Sequence, residues 1–254
     1  LVIFTFVIHW NLVIEPWNFL TILSSVLFSV ISVLSVLKLS SPLPALPLMS
    51  NRRFWLWVDG VGGFLVCEAD SIVIGQPVPD DSVDVPILAD LSRRHATIRR
   101  QSDAYLLVAA REARIQGQAV DQAAVIGRDA IIELGTSVRL RFRQPHPLSL
   151  SARLDLTSHH RTQPSTSGIL LAHDTLILGP ALNSHVVCPG WKHELVLFRA
   201  GDGPWYCRAA GVELEVDGQS VKGRGLLGER SRIVGPDFSI SLEPHSNPGR
   251  VETK

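Results

Sequence analysis

This sequence is poor in cysteine and has no excess of charge of either sign. Its 3 cysteines, Cys67, Cys188 and Cys207, form no Cys-x-x-Cys pair. That argues against a disulfide framework and a structural zinc site, and it fits a reducing compartment. Each cysteine reads as a small buried residue rather than a reactive one. Lysine plus arginine number 24 against 24 aspartate plus glutamate, so no bulk field marks the chain for nucleic acid. Nothing beyond residue 50 sustains a helical period of apolar residues, which leaves an all-β class for that part. No nucleophile, base and orienting group can be assembled with any specificity. The expectation is therefore a protein that is not an enzyme and that uses no cofactor and no metal.

The 254 residues leave room for two ordinary domains, each with its own core. Residues 1–50 differ from everything after them. Phe19 to Leu37 is an almost unbroken apolar and Ser/Thr run, long enough to make 19–39 a candidate single transmembrane helix. Lys38, Arg52 and Arg53 follow it, and the positive-inside rule then puts the remainder in the cytoplasm, held at the membrane by that helix. A secretory signal is the weaker reading, because no small-residue cleavage site stands out. A third reading rests on Met49, the sole methionine, which opens directly onto the first strand. The leading segment would then be upstream sequence joined by a mis-assigned start.

Phe54 to Val58 and Phe64 to Cys67 are apolar enough for buried strands, joined by the glycine-rich turn Asp59 to Gly63. That turn lies between strands with no helix N-terminus after it, so it is not a nucleotide loop. Ser71 to Ile74 is the next strand and ends at Gly75. The stretch Asp90-Leu91-Ser92-Arg93-Arg94-His95-Ala96 then sets a hydroxyl, two guanidiniums and an imidazole in four consecutive positions. Such a grouping suits an oxyanion, since arginine forks match phosphate oxygens and serine adds a donor. A solvated loop with two arginines has the same composition. Val138 to Arg143 alternates strictly, with Val138, Leu140 and Phe142 on one face and three arginines on the other. A solvated strand face explains that stripe better than a nucleic-acid surface does.

Residues 145–167 are rich in Pro, Ser, Thr and His and read as a connector, in which Leu150 to Leu156 adds an edge strand. His159 and His160 are adjacent, and on an extended chain they would point opposite ways, which does not suit a metal. The second half repeats the first. Leu176 to Gly179 matches Ile72 to Gly75, and Trp191 to Leu195 falls where Arg93 to Thr97 stood. Trp205 to Arg208 answers Tyr105 to Val108, and Val216 to Val221 answers Ile115 to Val120. Two β-sandwiches in tandem follow, 52–144 and 168–245, with a tail at 246–254.

Ile74-Gly75, Ser92-Arg93-Arg94-His95-Ala96 and the Ile115-Gln116-Gly117 turn together resemble the forkhead-associated (FHA) domain, in a bacterial type. The resemblance spans roughly Phe54 to Phe142. It implies a β-sandwich whose loops at one end bind phosphothreonine peptides, hence a signalling adaptor with a phosphorylated protein as partner. It also assigns roles: Ser92 and Arg93 to phosphate and peptide, and Gly75, His95 and Gly117 to the framework of the loops. Two departures weaken the pattern. Gln76 stands where the family has an arginine, and Ala109 to Ala113 reads Ala-Ala-Arg-Glu-Ala in place of a Ser/Thr-x-Asn-Gly turn. Arg94 and Arg111 are candidate substitutes for the missing contacts. In the second repeat the Gly-Arg has become Gly179-Pro180 and the Ser-Arg Gly190-Trp191, so it is a degenerate copy without phosphate chemistry. The alternative is a scaffold that keeps the sandwich and binds partners without phosphate. No nucleic acid is expected, and membrane contact only through the N-terminal segment.

Overall fold

The computed structural model describes residues 53–79, 82–146 and 148–245. The candidate span 19–39, the alternative start at Met49 and the tail 246–254 lie outside the described residues. Among the described residues there is no helix, so none is long and apolar enough to cross a membrane. The fold is all-β.

Strands β1 (Arg53–Val58) and β2 (Gly62–Cys67) form a hairpin. There follow β3 (Ser71–Gly75), β4 (Val85–Leu88), β5 (Ala96–Gln101) and β6 (Ala104–Ala109). The first repeat closes with β7 (Ala113–Ile115), β8 (Gln118–Ala119), β9 (Ala123–Ile126), β10 (Asp129–Leu134) and β11 (Val138–Arg143). Next come β12 (Ala152–Leu156), β13 (Arg161–Thr162) and β14 (Gly168–Leu171). The second repeat continues as β15 (Thr175–Gly179), β16 (Val186–Val187), β17 (Leu195–Phe198) and β18 (Tyr206–Ala209). It ends with β19 (Leu214–Val216), β20 (Gln219–Val221), β21 (Gly225–Leu226), β22 (Arg232–Val234) and β23 (Ser239–Pro244).

One 12-stranded sheet runs through the whole described chain in the order β20-β19-β22-β23-β1-β2-β14-β12-β11-β10-β7-β8. A 6-stranded sheet, β13-β4-β3-β5-β6-β9, and a 5-stranded sheet, β16-β15-β17-β18-β21, complete the two sandwiches. Each has its own core, and the strands at the middle of the long sheet serve both. Trp55, Leu65, Cys67, Ile169 and Leu171 enter the first core. Their neighbours Phe54, Leu56, Phe64, Val66 and Leu170 enter the second. Successive side chains on a strand face opposite ways, so the two smaller sheets cover opposite faces of the long one. Strands buried on both faces need unbroken apolar runs, which is why β1, β2 and β14 read Phe-Trp-Leu-Trp-Val, Phe-Leu-Val-Cys and Gly-Ile-Leu-Leu. β11 alternates because only one of its faces is covered.

The long sheet is palindromic in terms of the repeat. β11 of the first repeat is flanked by the hairpin-like pair β12–β14, and β23 of the second by the hairpin β1–β2. β2 and β14 then join in parallel, Phe64 opposite Gly168. A two-fold axis along the strand direction would generate this arrangement. Each hairpin precedes one repeat in sequence and completes the long sheet beside the other in space. β12, expected as an edge strand, is paired on both sides, because the hairpin exchange places it between β11 and β14.

Both crossovers from the long sheet into a small one are tied by an arginine in equivalent positions of the two repeats. Arg100 bonds Asp70 on the first crossover and the carbonyl of Ala172 on the second (3.2 Å). Arg199 bonds Glu68 (3.0 Å) and the carbonyl of His173 (2.7 Å), and lies over the ring of Trp205. These ties sit at one end of the strands, where Phe54 also pairs with Pro244. The loops after β3 and β15 lie at the other end, together with the β1–β2, β10–β11 and β22–β23 turns.

The three cysteines are free and buried. Burial pushes the thiols of Cys188 and Cys207 up to about 11 and that of Cys67 higher still, so none is a ready nucleophile at neutral pH. The arginine stripe of β11 is spent on carboxylates. Arg139 pairs with Glu133 (3.1 Å), Arg141 with Asp129 (2.6 Å) and Arg143 with Asp155 (3.0 Å). The hydrogen bonds from Arg141 hold the Asp129 carboxyl below its usual range.

Candidate functional site

The β4–β5 loop is built around two groups that cannot be exchanged freely. Gly75 ends β3, and a Cβ there would lie 2.0 Å from the carbonyl oxygen of Arg93 and 2.7 Å from that of Ser92. Only glycine lets the loop pass over the strand end. His95 is buried and spans the loop: its Nδ1 accepts from the backbone N–H of Ser92 (3.2 Å), and its Nε2 lies 2.9 Å from the carbonyl of Glu112. Accepting at Nδ1 requires the proton on Nε2, so the ring braces two loops in one tautomer. Its own backbone completes the frame, with its N–H donating to Ile74 and its carbonyl accepting from Ala110 and Arg111.

This frame brings four of the sequence-derived site residues together through the backbone. Gln76 N–H donates to Ser92 O (3.2 Å), so Gln76 and Ser92 are neighbours, and the bond to the His95 carbonyl draws in Arg111. Arg93 sits between Ser92 and His95. Arg94 shares the loop. Ser92 and Gln76 are half-buried, whereas Arg93, Arg94 and Arg111 are exposed. Among the described residues, Arg93 and Arg94 have no carboxylate partner, and Arg111 bonds only its neighbour's carbonyl at 3.4 Å. Unpaired guanidiniums on a braced loop form a fixed cationic surface beside a hydroxyl, which is what a phosphate group needs. Gly117 is not part of it. With φ of 79° it follows Gln116 at 51° in the tight turn between β7 and β8, at the other end of β7 from Glu112. Asp217 and Gly218 repeat that turn in the second half, at 52° and 80°.

A polar cleft of about 280 Å³ opens beside the loop, lined by Glu112, Arg114, Glu133, Gly135, Ser137 and Arg139. Its charges are paired internally, Arg114 with Glu112 and Arg139 with Glu133, both at 3.1 Å. Ser137 meets His160 Nε2 at 3.4 Å, and the other ring nitrogen of His160 lies 3.0 Å from Ser158. His159 and His160 do not point apart as an extended chain would have them. Their rings stack at 4.2 Å, because the chain bends between β12 and β13. Among the described residues, no three His, Cys, Asp or Glu side chains are grouped to hold a metal.

The second repeat has a different loop in the same place. Strand register makes Leu195 the counterpart of Ala96, since each pairs with the last apolar residue of the preceding strand, Leu178 and Ile74. The sequence match, which set Leu195 against Thr97, is thus off by one. The cause is a shorter loop: buried Leu91 precedes its strand by five positions and buried Trp191 by four. Trp191 stacks on Phe238 at 4.5 Å. Lys192 N–H donates to Asp237, and His193 Nδ1 lies 2.7 Å from the same carboxylate. These two bonds, with burial opposing them, hold the Asp237 carboxyl below its usual range.

Sequence reasoning missed Glu112 and Asp237. Glu112 acts through its carbonyl, which no side-chain pattern reveals. Asp237 sits in a Gly-Pro-Asp turn that reads only as a turn until the fold brings it to Lys192.

No family model matches this chain, and no curated protein matches it. Among solved structures it is similar to the N-terminal FHA domain from EssC, a component of the bacterial Type VII secretion apparatus. The identity is 11%, over 76% of this chain and 93% of that chain, with a TM-score of 0.22. The likeness is too loose to carry residue roles from one protein to the other.

Proposed function

We propose that the β4–β5 loop binds a phosphothreonine in a partner protein and that the protein is a non-catalytic adaptor in signalling, acting in the cytoplasm. The observation that carries this reading is the pair of exposed, unpaired guanidiniums of Arg93 and Arg94 beside Ser92, on a loop braced by His95 and Gly75. The resemblance of these residues to the FHA pattern supplies the ligand. Ser92 donates one hydrogen bond to the phosphate, Arg93 and Arg94 supply charge, and Arg111 flanks the peptide. Binding is weak compared with a loop that has an arginine at position 76, because the amide of Gln76 cannot pair with a dianion. Recognition by loops on a rigid sandwich requires no change of fold.

A second reading is favoured by Gln76 itself: a scaffold that binds partners through its faces and ignores phosphate. A phosphothreonine peptide library presented to the full chain separates the two. The adaptor reading predicts retention that is lost when the library is dephosphorylated, whereas equal retention before and after supports the scaffold.

A further inference from the structure

We infer that the β16–β17 loop of the second repeat is itself an oxyanion site and that its occupant is the chain's own Asp237. The two carboxylate oxygens of Asp237 each meet one donor of that loop, the backbone N–H of Lys192 and Nδ1 of His193, the latter at 2.7 Å. A free carboxylate or a phosphate would be held by the same donors in the same way. The turn that delivers Asp237 is packed for the purpose. Gly235 N–H donates to the carbonyl of Phe238 (2.9 Å), and a Cβ on Gly235 would lie 2.4 Å from the Phe238 ring. The Phe238 ring in turn lies flat on Trp191, the residue before Lys192. Loop and turn are thus locked by stacking on one side of the carboxylate and by hydrogen bonds on the other.

The first repeat provides the contrast. Its corresponding turn, Gly135-Thr136-Ser137, offers no carboxylate, and its loop arginines stay unpaired. One repeat presents its loop donors to solvent, and the other satisfies them from within. The second loop is therefore closed to small oxyanions as long as Asp237 is in place, and removing that side chain opens it. This inference does not depend on phosphothreonine being the ligand of the first loop.

The test is a titration with inorganic phosphate of the full chain and of its Asp237→Ala and Asp237→Asn variants. All three carry Ser92→Ala and Arg93→Ala, so that the first loop is silent. The backbone amide of Lys192 and the ring of His193 are followed by NMR, and the melting temperature is followed in parallel. The parent is expected to show no phosphate-dependent shift at Lys192. Asp237→Ala is expected to show a saturable shift there and a melting temperature that rises with phosphate, since a ligand that binds only the folded state stabilises it. Asp237→Asn keeps the turn but not the charge, and a smaller response is expected; it decides the matter if the alanine variant does not fold. A phosphate response at Lys192 in the parent, or none in any folded variant, overturns the inference.

Discussion

The two loop clusters lie at the same end of the strands and start from the same framework, yet one is open and the other closed. In the first, Ser92, Arg93 and Arg94 face solvent with no internal acid to neutralise them. In the second, Trp191 fills the equivalent space by stacking on Phe238, and Asp237 takes the donors of Lys192 and His193. What differs is not the sandwich but a handful of side chains at the strand ends. A tandem repeat can thus keep its fold signal in full while only one copy keeps exposed chemistry. The frame of each copy is solved in similar ways. Each has a buried histidine whose Nδ1 accepts a backbone N–H: His95 from Ser92, and His185 from Ile177 at 3.0 Å.

The largest effect is expected where the halves differ most in burial. Arg100 and Arg199 tie the two crossovers in equivalent positions, but Asp70 is 74% exposed while Glu68 is only 7% exposed. Arg199→Ala strands Glu68 as a buried, uncompensated charge and should cost about 3–5 kcal/mol. Arg100→Ala should cost only about 1 kcal/mol, for one lost bond to a carbonyl. Urea unfolding of both variants measures the difference, and equal losses would show that the two ties are not distinguished by burial.

The next effect is a pH dependence centred on the second repeat. Burial holds His185 at about 4, below its ordinary 6.5. The unfolded chain therefore takes up a proton that the folded chain refuses between about 4 and 6.5. Stability is full above about 6.5 and falls as the pH drops toward 4, by roughly 3 kcal/mol for this group at most. Thermal melts between pH 7 and pH 5 should show the slope, and His185→Gln should flatten it. A parent whose melting temperature is constant over that range contradicts the assignment.

A smaller effect concerns the first loop. If phosphate is the ligand, Arg93→Ala should weaken phosphothreonine peptide binding by about 1.5–3 kcal/mol and reduce its salt dependence. Arg94→Ala should do the same to a lesser degree if Arg94 replaces the charge missing at position 76. Titrations at two ionic strengths distinguish these outcomes, and an unchanged salt dependence in both variants removes the arginines from the site.

Much of this was legible in the residues. The unbroken apolar runs of β1, β2 and β14 announce strands buried on both faces, and the alternation in β11 announces one covered face. The repeat could be read from Leu178-Gly179 against Ile74-Gly75 and from the paired tight turns at Gln116-Gly117 and Asp217-Gly218. The hairpin exchange could not be read, because a continuous apolar run says that two faces are covered and not by what. Pairing Phe54 with Pro244 is a choice between partners of similar local pattern, and only the closed cores decide it. The connector misled for a related reason: its Pro, Ser and Thr content hid Ala152 to Leu156, a strand at the middle of the long sheet. In the site, the side chains of the first loop were legible as chemistry. The carbonyl of Glu112 and the carboxylate of Asp237 were not, since each acts on a loop distant in sequence.

The central claim is that the open loop reads phosphate through Ser92 and Arg93 despite the amide at position 76. Calorimetric titration of the full chain, with Gln76→Arg and Ser92→Ala beside the parent, tests it most directly with one phosphothreonine peptide and its unphosphorylated twin. The account predicts phosphate-dependent binding in the parent, about 0.5–1.5 kcal/mol weaker in Ser92→Ala. It predicts tighter binding in Gln76→Arg, where a charged fork is restored beside the dianion. Equal binding of both peptides by the parent, with no gain in Gln76→Arg and no loss in Ser92→Ala, would contradict it and leave the scaffold reading.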